Sequence, residues 1–356
     1  MLGPVSGSCK GAQLTTLLST TLLWTGGLRR IALFGPLLFA ALLVGGYIAI
    51  HQPFARDGTR LVPVSLSPDD PSITRVGALS YRGGIDIPRM GQNIGGLSAL
   101  RWDAQSGRLL ALTDDARWVW MTLSERGDRL VGLEAVETGP LLGLNGEPLT
   151  GKAQGDSESL TRSAQGGWLV GFEREHRIWR YPELPARPEP TGLDPQTIMG
   201  PLEANGGTET LAVDERALFV CAERETLQEA RAREPNCFWQ TQGMGPSGLR
   251  VDPPQDMRDV NAVPTDADMT SDAAILVLFR SYSPSRGNIC GITALNPDGS
   301  QKSVATFKSP LNVDNFEGLA VREEGNRTFL FIVSDANFSA RQRTLLMKIE
   351  WGTKPG

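Results

Sequence analysis

Runs of apolar residues separated by polar turns recur along this chain, and the clearest example lies near the C-terminus. From residue 313 the sequence is VDNFEGLAVREEGNRTFLFIVSDANFSARQRTLLMKIEW. An acidic turn containing Asp314 and Glu317 precedes one apolar run. A Gly-containing turn at 323–326 and a second apolar run at 329–333 follow, Asp335 ends that run, and a third strand is predicted at 344–349. Short apolar runs bounded by such turns predict antiparallel strands. The repeating unit is therefore acid, strand, turn, strand, acid.

The same unit occurs four more times, in segments that begin NIGGLSAL, GDSESL, NGGTETLAV and MRDVNAV. When the five units are aligned on their first acidic position, one slot contains Ser98, Glu158, Glu209, Asp259 and Glu317. A strand-rich unit that repeats every ~50 to 60 residues is typical of a propeller blade. We therefore predict an all-β fold, a β-propeller with five blades. Six blades are the alternative, if residues 74–97 contribute more than one closing strand.

The N-terminal part of the folded body is predicted to close the ring of blades. Residues 74–88 contain two short strand-like runs. We place them beside the last repeat, because a strand from one terminus that pairs with the blade from the other removes an exposed sheet edge. The folded domain is thus predicted to cover residues 74–352. Residues 51–73, rich in Pro, Asp and Ser, are predicted to be a linker.

The segment before this linker predicts one transmembrane helix. Residues 31–50 are twenty uncharged, mostly apolar residues, which is enough to span a bilayer. Arg29 and Arg30 precede them, so the positive-inside rule places residues 1–30 in the cytoplasm and the body outside. No clear cleavage site follows, which favours an uncleaved signal anchor. The expected location is the inner membrane with the body in the periplasm, or secretion if the segment is cleaved.

Charge and missing motifs exclude several classes of function. The chain carries a formal charge of −5, and its basic residues within 1–50 make the remaining body more acidic still. Such a body does not suit nucleic acid as a partner. The sequence has no GxSxG motif and no phosphate-binding GxxxxGK[ST] loop. Only His51 and His176 are present, so a histidine-based triad is not expected, and the absence of a CxxC motif or Cys/His cluster argues against a zinc site.

Carboxylates at repeated positions are the candidate chemistry. Besides the first slot, a second acidic slot follows the next strand of each unit and contains Asp114, Asp115, Glu173, Glu223 and Asp335. Equivalent positions in a propeller are related by rotation, so these side chains should face one shared mouth. Converging carboxylates repel each other unless cations lie among them. Ca²⁺ is the expected cation because it prefers oxygen ligands. The alternative role for these acids is to hydrogen-bond backbone amides between blades.

Three of the four cysteines belong to the body predicted to be exported, where disulfides can form. These are Cys221, Cys237 and Cys290, so they can form at most one bridge. A Cys221–Cys237 bridge would lie within one blade, whereas Cys237–Cys290 would join two blades. The sequence does not choose between them.

Four segments resemble the phytase-like family, which is also described as having esterase-like activity of phytase. They are NIGGLSAL…LLALTDD, GDSESL…WLVGFEREHRIWRY, NGGTETLAV…CAE and VDNFEGLAV…SDANFSARQRTLLM. The resemblance covers roughly residues 74–350. It implies a β-propeller, export from the cytoplasm and cleavage of an ester or phosphoester by repeated Glu and Asp side chains. Two features depart from the pattern: Ser98 replaces an acid in the first unit, and an insertion at 224–236 interrupts the third.

From these patterns we expect a membrane-tethered, metal-assisted hydrolase of a phosphoester or related ester. The alternatives are a lactonase-like propeller enzyme acting on an uncharged ring, and a non-enzymatic module that binds a ligand or envelope partner. Arg174 and Arg280 are predicted to bind substrate phosphate oxygens. The candidate catalytic residues are Glu158, Glu173, Glu209, Glu317 and Asp335. The candidate Ca²⁺ ligands are Glu158, Glu209, Asp259, Glu317 and Asp115.

Overall fold

The computed structural model describes residues 61–88, 95–214, 217–223, 234–337, 339 and 342–353. Contacts divide the chain into two units, residues 1–51 and 52–356, and every described residue belongs to the second unit. The predicted transmembrane segment, residues 31–50, lies outside the described residues. Within the described part, no helix is both long enough and apolar enough to cross a membrane.

The described strands form five antiparallel sheets, each of which is one blade of a propeller. Three strands precede blade 1: β1 (Val62–Pro63), β2 (Arg75–Val76) and β3 (Leu79–Asp86). Blade 1 contains β4 (Leu97–Asp103), β5 (Arg108–Thr113), β6 (Arg117–Arg126) and β7 (Arg129–Pro140). Blade 2 contains β8 (Ser157–Arg162), β9 (Trp168–Phe172), β10 (Arg177–Tyr181) and β11 (Glu189–Pro190). Blade 3 contains β12 (Thr208–Val213), β13 (Ala217–Ala222), β14 (Cys237–Thr241) and β15 (Ser247–Leu249).

The last two blades follow the same order. Blade 4 contains β16 (Val263–Met269), β17 (Ile275–Ser283), β18 (Gly287–Leu295) and β19 (Gln301–Phe307). Blade 5 contains β20 (Phe316–Glu324), β21 (Arg327–Ser334) and β22 (Leu345–Thr353). The connections include two short α-helices, Lys152–Gly155 and Pro195–Met199, and a 3₁₀ turn, Gln255–Met257. The first strand of each blade contacts the first strands of both neighbouring blades, so these five strands surround the central axis.

Blade 5 is completed by the N-terminal strand, as the sequence predicts. β3 pairs antiparallel with β22, with Leu346 opposite Ile85. β1 and β2 then pair with β3 on its outer side. Leu61 and Leu66 are buried, so residues 61–73, which the sequence assigned to the linker, are part of the packed body. Because the ring joins two distant parts of the chain, the edge of β22 is covered.

Five apolar clusters lie between neighbouring blades and form the core. Side chains alternate between the two faces of a strand. In β5, Leu109 and Ala111 therefore pack toward blade 5, whereas Leu110 and Leu112 pack toward blade 2. Both faces of each blade are buried, which explains why the second strands are continuous apolar runs. Near the axis there is little room: a Cβ at Gly318 would lie only 2.8 Å from the Leu100 Cβ atom.

Candidate functional site: an acidic mouth at one end of the propeller

A β-bulge near the start of every innermost strand defines the first acidic slot. The pairing with the second strand shifts register at the same place in all five blades. A bulge leaves one residue unpaired and redirects its side chain. The five bulged residues are Ser98, Glu158, Glu209, Thr265 and Glu317. All of them except Thr265 line a cavity of about 180 Å³, which we call the mouth.

The sequence predicts that blade 4 contributes Asp259 to this slot. That prediction is wrong, because Thr265 occupies the position. Asp259 follows the 3₁₀ turn, its side chain is 72% exposed, and it pairs with Arg286 at 3.2 Å. The sequence pattern failed here because the innermost strand of blade 4 is itself polar. Its Asp266 and Asp268 face Arg101, so the strand lacks the apolar run used for alignment.

The two hydroxyl residues in the slot connect neighbouring blades. Ser98 Oγ donates a hydrogen bond to the carbonyl oxygen of Ser157 at 2.7 Å. Thr265 Oγ1 donates to the carbonyl oxygen of Phe316 at 3.3 Å. In both cases the acceptor immediately precedes the bulged glutamate of the next blade. Ser98 and Thr265 therefore connect neighbouring blades by hydrogen bonds to the backbone, which resembles the alternative role considered for the acids.

The second slot lies at the same end of the molecule as the first slot, at or near the end of the second strand of each blade. Its residues are Asp114, Glu173, Glu223, Arg280 and Asp335, and all five line the mouth. Asp115 and Arg174, each one residue further along, do not belong to this lining. Asp115 instead accepts a hydrogen bond from Thr113 Oγ1 at 2.5 Å.

Carboxylates dominate the mouth. Eight acids line it: Asp114, Asp156, Glu158, Glu173, Glu209, Glu223, Glu317 and Asp335. Two cationic side chains, Lys152 and Arg280, accompany them. Lys152 Nζ lies 2.6 Å from Asp114 and 2.8 Å from Asp156. Arg280 Nε lies 2.8 Å from Glu317 Oε1, and its Nη2 lies 3.4 Å from Glu223 Oε1.

The two arginines predicted to bind phosphate are both paired with carboxylates. Arg280 is held by Glu317 and Glu223 inside the mouth. Arg174 Nε donates to Asp156 Oδ2 at 2.6 Å, and its Nη2 donates to Asn205 Oδ1 at 2.9 Å. These contacts orient the carboxylates, and a substrate anion would have to compete with them.

Burial and mutual repulsion perturb the pKa values of several of these carboxyl groups. Burial, reinforced by the charges of Glu173 and Asp156, raises the pKa of Glu158 well above its usual value. Burial and the charge of Glu223 do the same to the pKa of Glu209. Carboxylic acids with raised pKa values exchange protons closer to physiological pH than ordinary carboxylic acids do.

Two further acids have pKa values in the useful range for proton transfer. Burial raises the pKa of Glu317 to about 7, although Arg280 opposes the shift. Burial also raises the pKa of Asp335 to about 6, and the backbone hydrogen bond from Asn337 partly offsets it. By contrast, Asp156 has a lowered pKa: burial would raise it, but hydrogen bonds from Lys152 and Arg174 outweigh that effect.

Within the described residues, two sets of three carboxylates have a spacing that fits a metal ion. One set is Asp156, Glu158 and Glu173, and the other is Glu173, Glu209 and Glu223. In each set one oxygen per residue lies within 4.8 Å of the others. Calcium–oxygen distances of about 2.3–2.6 Å allow ligands on opposite sides of one ion to lie ~5 Å apart. The donor set is therefore chemically and geometrically suited to Ca²⁺, and Glu173 is common to both sets.

These sets contain only part of the predicted ligand group. Glu158 and Glu209 are included, while Glu317 belongs to neither set and pairs with Arg280. Asp115 and Asp259 are absent from the lining of the mouth. Sequence reasoning missed Asp156 and Lys152. Asp156 stands two residues before Glu158 in GDSESL, and that spacing was the available signal.

His176 lies close to the mouth without contributing to its lining. Its Nε2 lies 3.0 Å from the carbonyl oxygen of Glu203. The observed disulfide joins Cys221 to Cys237, so the bridge within one blade is the one that forms. Cys290 is a buried free thiol.

Fold and site together define a five-bladed β-propeller whose mouth is lined by carboxylates. A family model described as phytase-like, with esterase-like activity of phytase, matches residues 92–338. The chain belongs to this family, as the sequence motifs indicated.

Other comparisons give distant likenesses. Among curated proteins, no match was found. The extracellular domain of a hybrid two-component system from B. thetaiotaomicron is 11% identical, with a TM-score of 0.34; the alignment covers 74% of this chain and 34% of that one. This chain thus spans about a third of that protein's length.

Two solved enzymes are covered over nearly their whole length. A calcium structure of a Trichoderma reesei enzyme of carbohydrate-active family AA12 is 11% identical, with a TM-score of 0.36. The alignment covers 76% of this chain and 98% of that one. An exo-1,5-alpha-L-arabinanase from a bovine ruminal metagenomic library is 9% identical, with a TM-score of 0.35. The alignment covers 73% of this chain and 96% of that one. At these scores the likenesses carry no weight for the function of this chain.

Proposed function

We propose that the mouth is the active site of a metal-assisted hydrolase that cleaves a small ester. The observation that carries this proposal is the pair of carboxylate sets that share Glu173, within a mouth where burial raises the pKa of Glu317 to about 7 and that of Asp335 to about 6. The residues that would hold Ca²⁺ are Asp156, Glu158, Glu173, Glu209 and Glu223. A cation held there would polarise the ester oxygen and lower the pKa of a bound water molecule.

Two carboxyl groups outside the ligand sets are placed to transfer protons. Asp335, with a pKa of about 6, is mostly ionised at pH 7 and accepts a proton from the attacking water. Glu317, with a pKa of about 7, is close to half protonated and donates a proton to the leaving oxygen. Arg280 holds the Glu317 carboxyl group in position through the 2.8 Å contact. Two neighbouring acids with raised pKa values allow one site to supply both an acid and a base.

The decisive test combines metal binding with hydrolysis. A cation held only by the folded state adds about RT ln(1 + [L]/Kd), or ~2.7 kcal/mol at a concentration of 100 Kd. The melting temperature should therefore rise with Ca²⁺, and chelation should reverse the rise. Glu173→Gln keeps the volume and removes the ligand shared by both sets, so it should abolish the rise and the hydrolysis of generic esters. Asp259→Asn makes the same chemical change at an exposed position and should leave both intact.

Two results would separate the alternatives. A melting temperature indifferent to both Ca²⁺ and chelator would eliminate the metal-assisted mechanism. Stabilisation by Ca²⁺ without hydrolysis of any ester would instead favour a binding module that uses the mouth to hold a ligand.

The location outside the cytoplasm and the membrane tether belong to the same proposal. The apolar segment 31–50 after Arg29 and Arg30 supports an anchor with the body outside. The Cys221–Cys237 disulfide is consistent with an oxidising compartment. An export-dependent reporter fused after Gly356 should be active. A reporter that functions only when it stays in the cytoplasm would overturn this topology.

A further inference from the structure

The position two residues before each bulge connects the first and second slots. Its residues in the five blades are Gly96, Asp156, Gly207, Val263 and Asn315. In blade 2 the carbonyl oxygen of Asp156 accepts the backbone N–H of Glu173 at 2.8 Å. In blade 5 the carbonyl oxygen of Asn315 accepts the backbone N–H of Asp335 at the same distance. Asp156 and Asn315 are the polar side chains among the five. They therefore occupy equivalent places and differ in having a carboxylate or an amide.

These two side chains make opposite contacts. Asp156 belongs to one of the carboxylate sets, and it accepts hydrogen bonds from Lys152 Nζ at 2.8 Å and Arg174 Nε at 2.6 Å. Asn315 instead donates from its Nδ2 to Oε1 of Glu317, the bulged residue of blade 5, at 2.6 Å. An ionised carboxylate has only acceptors, whereas an amide also has two N–H donors. The position that supplies a candidate cation ligand in blade 2 therefore supplies a hydrogen-bond donor in blade 5.

The contacts of Glu317 distinguish its two carboxyl oxygens. Arg280 Nε lies 2.8 Å from Oε1, the same oxygen that Asn315 contacts. An oxygen that faces a guanidinium cation does not carry the carboxyl proton, because the O–H group would direct its positive end at a positive charge. The Asn315 atom that contacts Oε1 is therefore its NH2 group, which fixes the orientation of the amide. Neither contact involves Oε2, which is thus the oxygen that remains to carry the proton.

Asn315 is itself held firmly in place. It is buried, its backbone N–H donates to Asp314 Oδ1 at 3.0 Å, and its carbonyl oxygen accepts from Asp335. Asp314 in turn accepts the backbone N–H of Arg343 at 3.1 Å. Asn315 does not belong to the lining of the mouth, so any effect on a substrate must act through Glu317.

From these contacts we infer that Asn315 is a positioning residue, which holds Glu317 Oε1 as an acceptor so that the proton on Oε2 is delivered to the leaving oxygen. As the bond to the leaving oxygen breaks, that oxygen takes the proton of Oε2, and the attacking water gives its own proton to Asp335. The catalytic step rests on the proposed function, but the hydrogen bond can be measured without turnover. Without the donor, the carboxyl group can rotate, and proton transfer requires a donor within hydrogen-bond reach of the accepting oxygen.

Asn315→Leu keeps the approximate size of the side chain and removes the donor. Ethyl and 4-nitrophenyl acetate test it, or the corresponding phosphate esters if the protein cleaves only phosphoesters. The ethoxide leaving group needs a proton, whereas 4-nitrophenolate departs without one. Because general acid catalysis contributes roughly 10²–10⁴-fold, kcat for the ethyl ester should fall at least ~10-fold. The KM for both esters, kcat for the nitrophenyl ester and the rise of the melting temperature with Ca²⁺ should each stay within about twofold of wild type.

Two further variants separate positioning from stability. Asn312→Leu makes the same change at a buried asparagine of the same segment, whose Nδ2 donates to the carbonyl oxygen of Ser65, and should leave kcat for both esters unchanged. Asn315→Asp has the same shape with an acceptor in place of the donor, so it should lose activity on the ethyl ester as Asn315→Leu does. It also tests the inference if the leucine variant does not fold.

Infrared spectroscopy measures the hydrogen bond directly. The spectrum of wild type minus that of Glu317→Gln, at pH ~5 and thus below the folded-state pKa of about 7, isolates the C=O band of protonated Glu317. A hydrogen bond accepted by Oε1 lowers the frequency of this band, so the same difference in the Asn315→Leu background should show it at higher frequency. An unmoved band would overturn the inference, as would equal losses of kcat for both esters. A displaced band in a protein that hydrolyses neither ester would sustain the placement of the proton on Oε2 and defeat the hydrolase proposal.

Discussion

One buried ion pair joins the innermost strands near the central axis, and breaking it should have a large effect on stability. The Arg101 side chain is 4% exposed and that of Asp266 is fully buried. Asp266→Asn retains the size of the side chain, removes its charge and leaves the Arg101 guanidinium without its closest counter-charge. Asp268, at 3.8 Å from Arg101 Nε, would be the nearest remaining carboxylate.

The size of the effect follows from the contacts of these two side chains. Both carboxylate oxygens of Asp266 lie 2.9 Å from Arg101 nitrogens. They also accept backbone N–H groups from Leu100, Leu319 and Ala267 at 2.8 to 3.2 Å. The side-chain NH2 group of an asparagine would face some of the N–H groups that now donate to the Asp266 carboxylate. Removing one partner of such a buried pair costs about 3–5 kcal/mol, because the other charge stays buried without compensation.

Arg101 also holds together the innermost strands of separate blades. Its Nη1 donates to the carbonyl oxygen of Leu319 in blade 5 at 2.9 Å, and its Nη2 donates to that of Leu211 in blade 3 at 2.7 Å. Arg101 itself belongs to blade 1, and Asp266 belongs to blade 4. The loss should therefore appear as reduced stability of the whole ring rather than as local fraying.

Urea unfolding of wild type and Asp266→Asn, followed by tryptophan fluorescence, measures the free-energy difference. The melting temperature should fall by roughly 6–20 °C, given ~2–4 °C per kcal/mol for domains of this size class. Asp259→Asn breaks an exposed pair and should cost less than ~1 kcal/mol. A change of less than ~1 kcal/mol for Asp266→Asn would refute the reasoning. In the double variant Arg101→Met with Asp266→Leu, both members of the buried pair are removed and only Asp268 loses its contact with Arg101, so part of the loss should be recovered.

Three further predictions concern closure, pH and the disulfide. Deletion of residues 61–88 should expose the edge of the last blade and cause aggregation in sedimentation experiments; a soluble, equally heat-stable monomer would contradict closure by β3. Burial raises the folded-state pKa of Glu317 from 4.5 to about 7 and that of Asp335 from 3.8 to about 6. The contribution of each group to the stability of the metal-free protein is therefore complete below its unfolded pKa and is lost as pH rises through its folded pKa. The expected loss is ~3 kcal/mol for Glu317, at ~1.4 kcal/mol per pKa unit, and Glu317→Gln should flatten the pH profile of urea midpoints. Reduction of the Cys221–Cys237 bridge, which closes a short loop, should lower the free energy of unfolding by about 3 kcal/mol in chevron or equilibrium measurements, and no change would show that the bridge does not constrain the unfolded chain.

The repeat of apolar runs was enough to predict the blade count and the closing strand, because both faces of each blade are buried. The length of each apolar run and the period of the repeat reflect the burial of a sheet by its neighbours. Both can be read from short stretches of the sequence. The second acidic slot was also accessible, since Glu173 and Asp335 each directly follow an apolar strand.

Only the tertiary structure decided which acids meet and what neutralises them. The sequence placed Asp259 in the mouth, but strand pairing places Thr265 there, because the innermost strand of blade 4 is made polar by its contact with Arg101 in blade 1. Likewise, the sequence predicted that Arg280 binds a substrate phosphate, but it could not show that Glu317 already pairs with this arginine. Such partnerships join residues from different blades, and no pattern within one repeat records the distance between them.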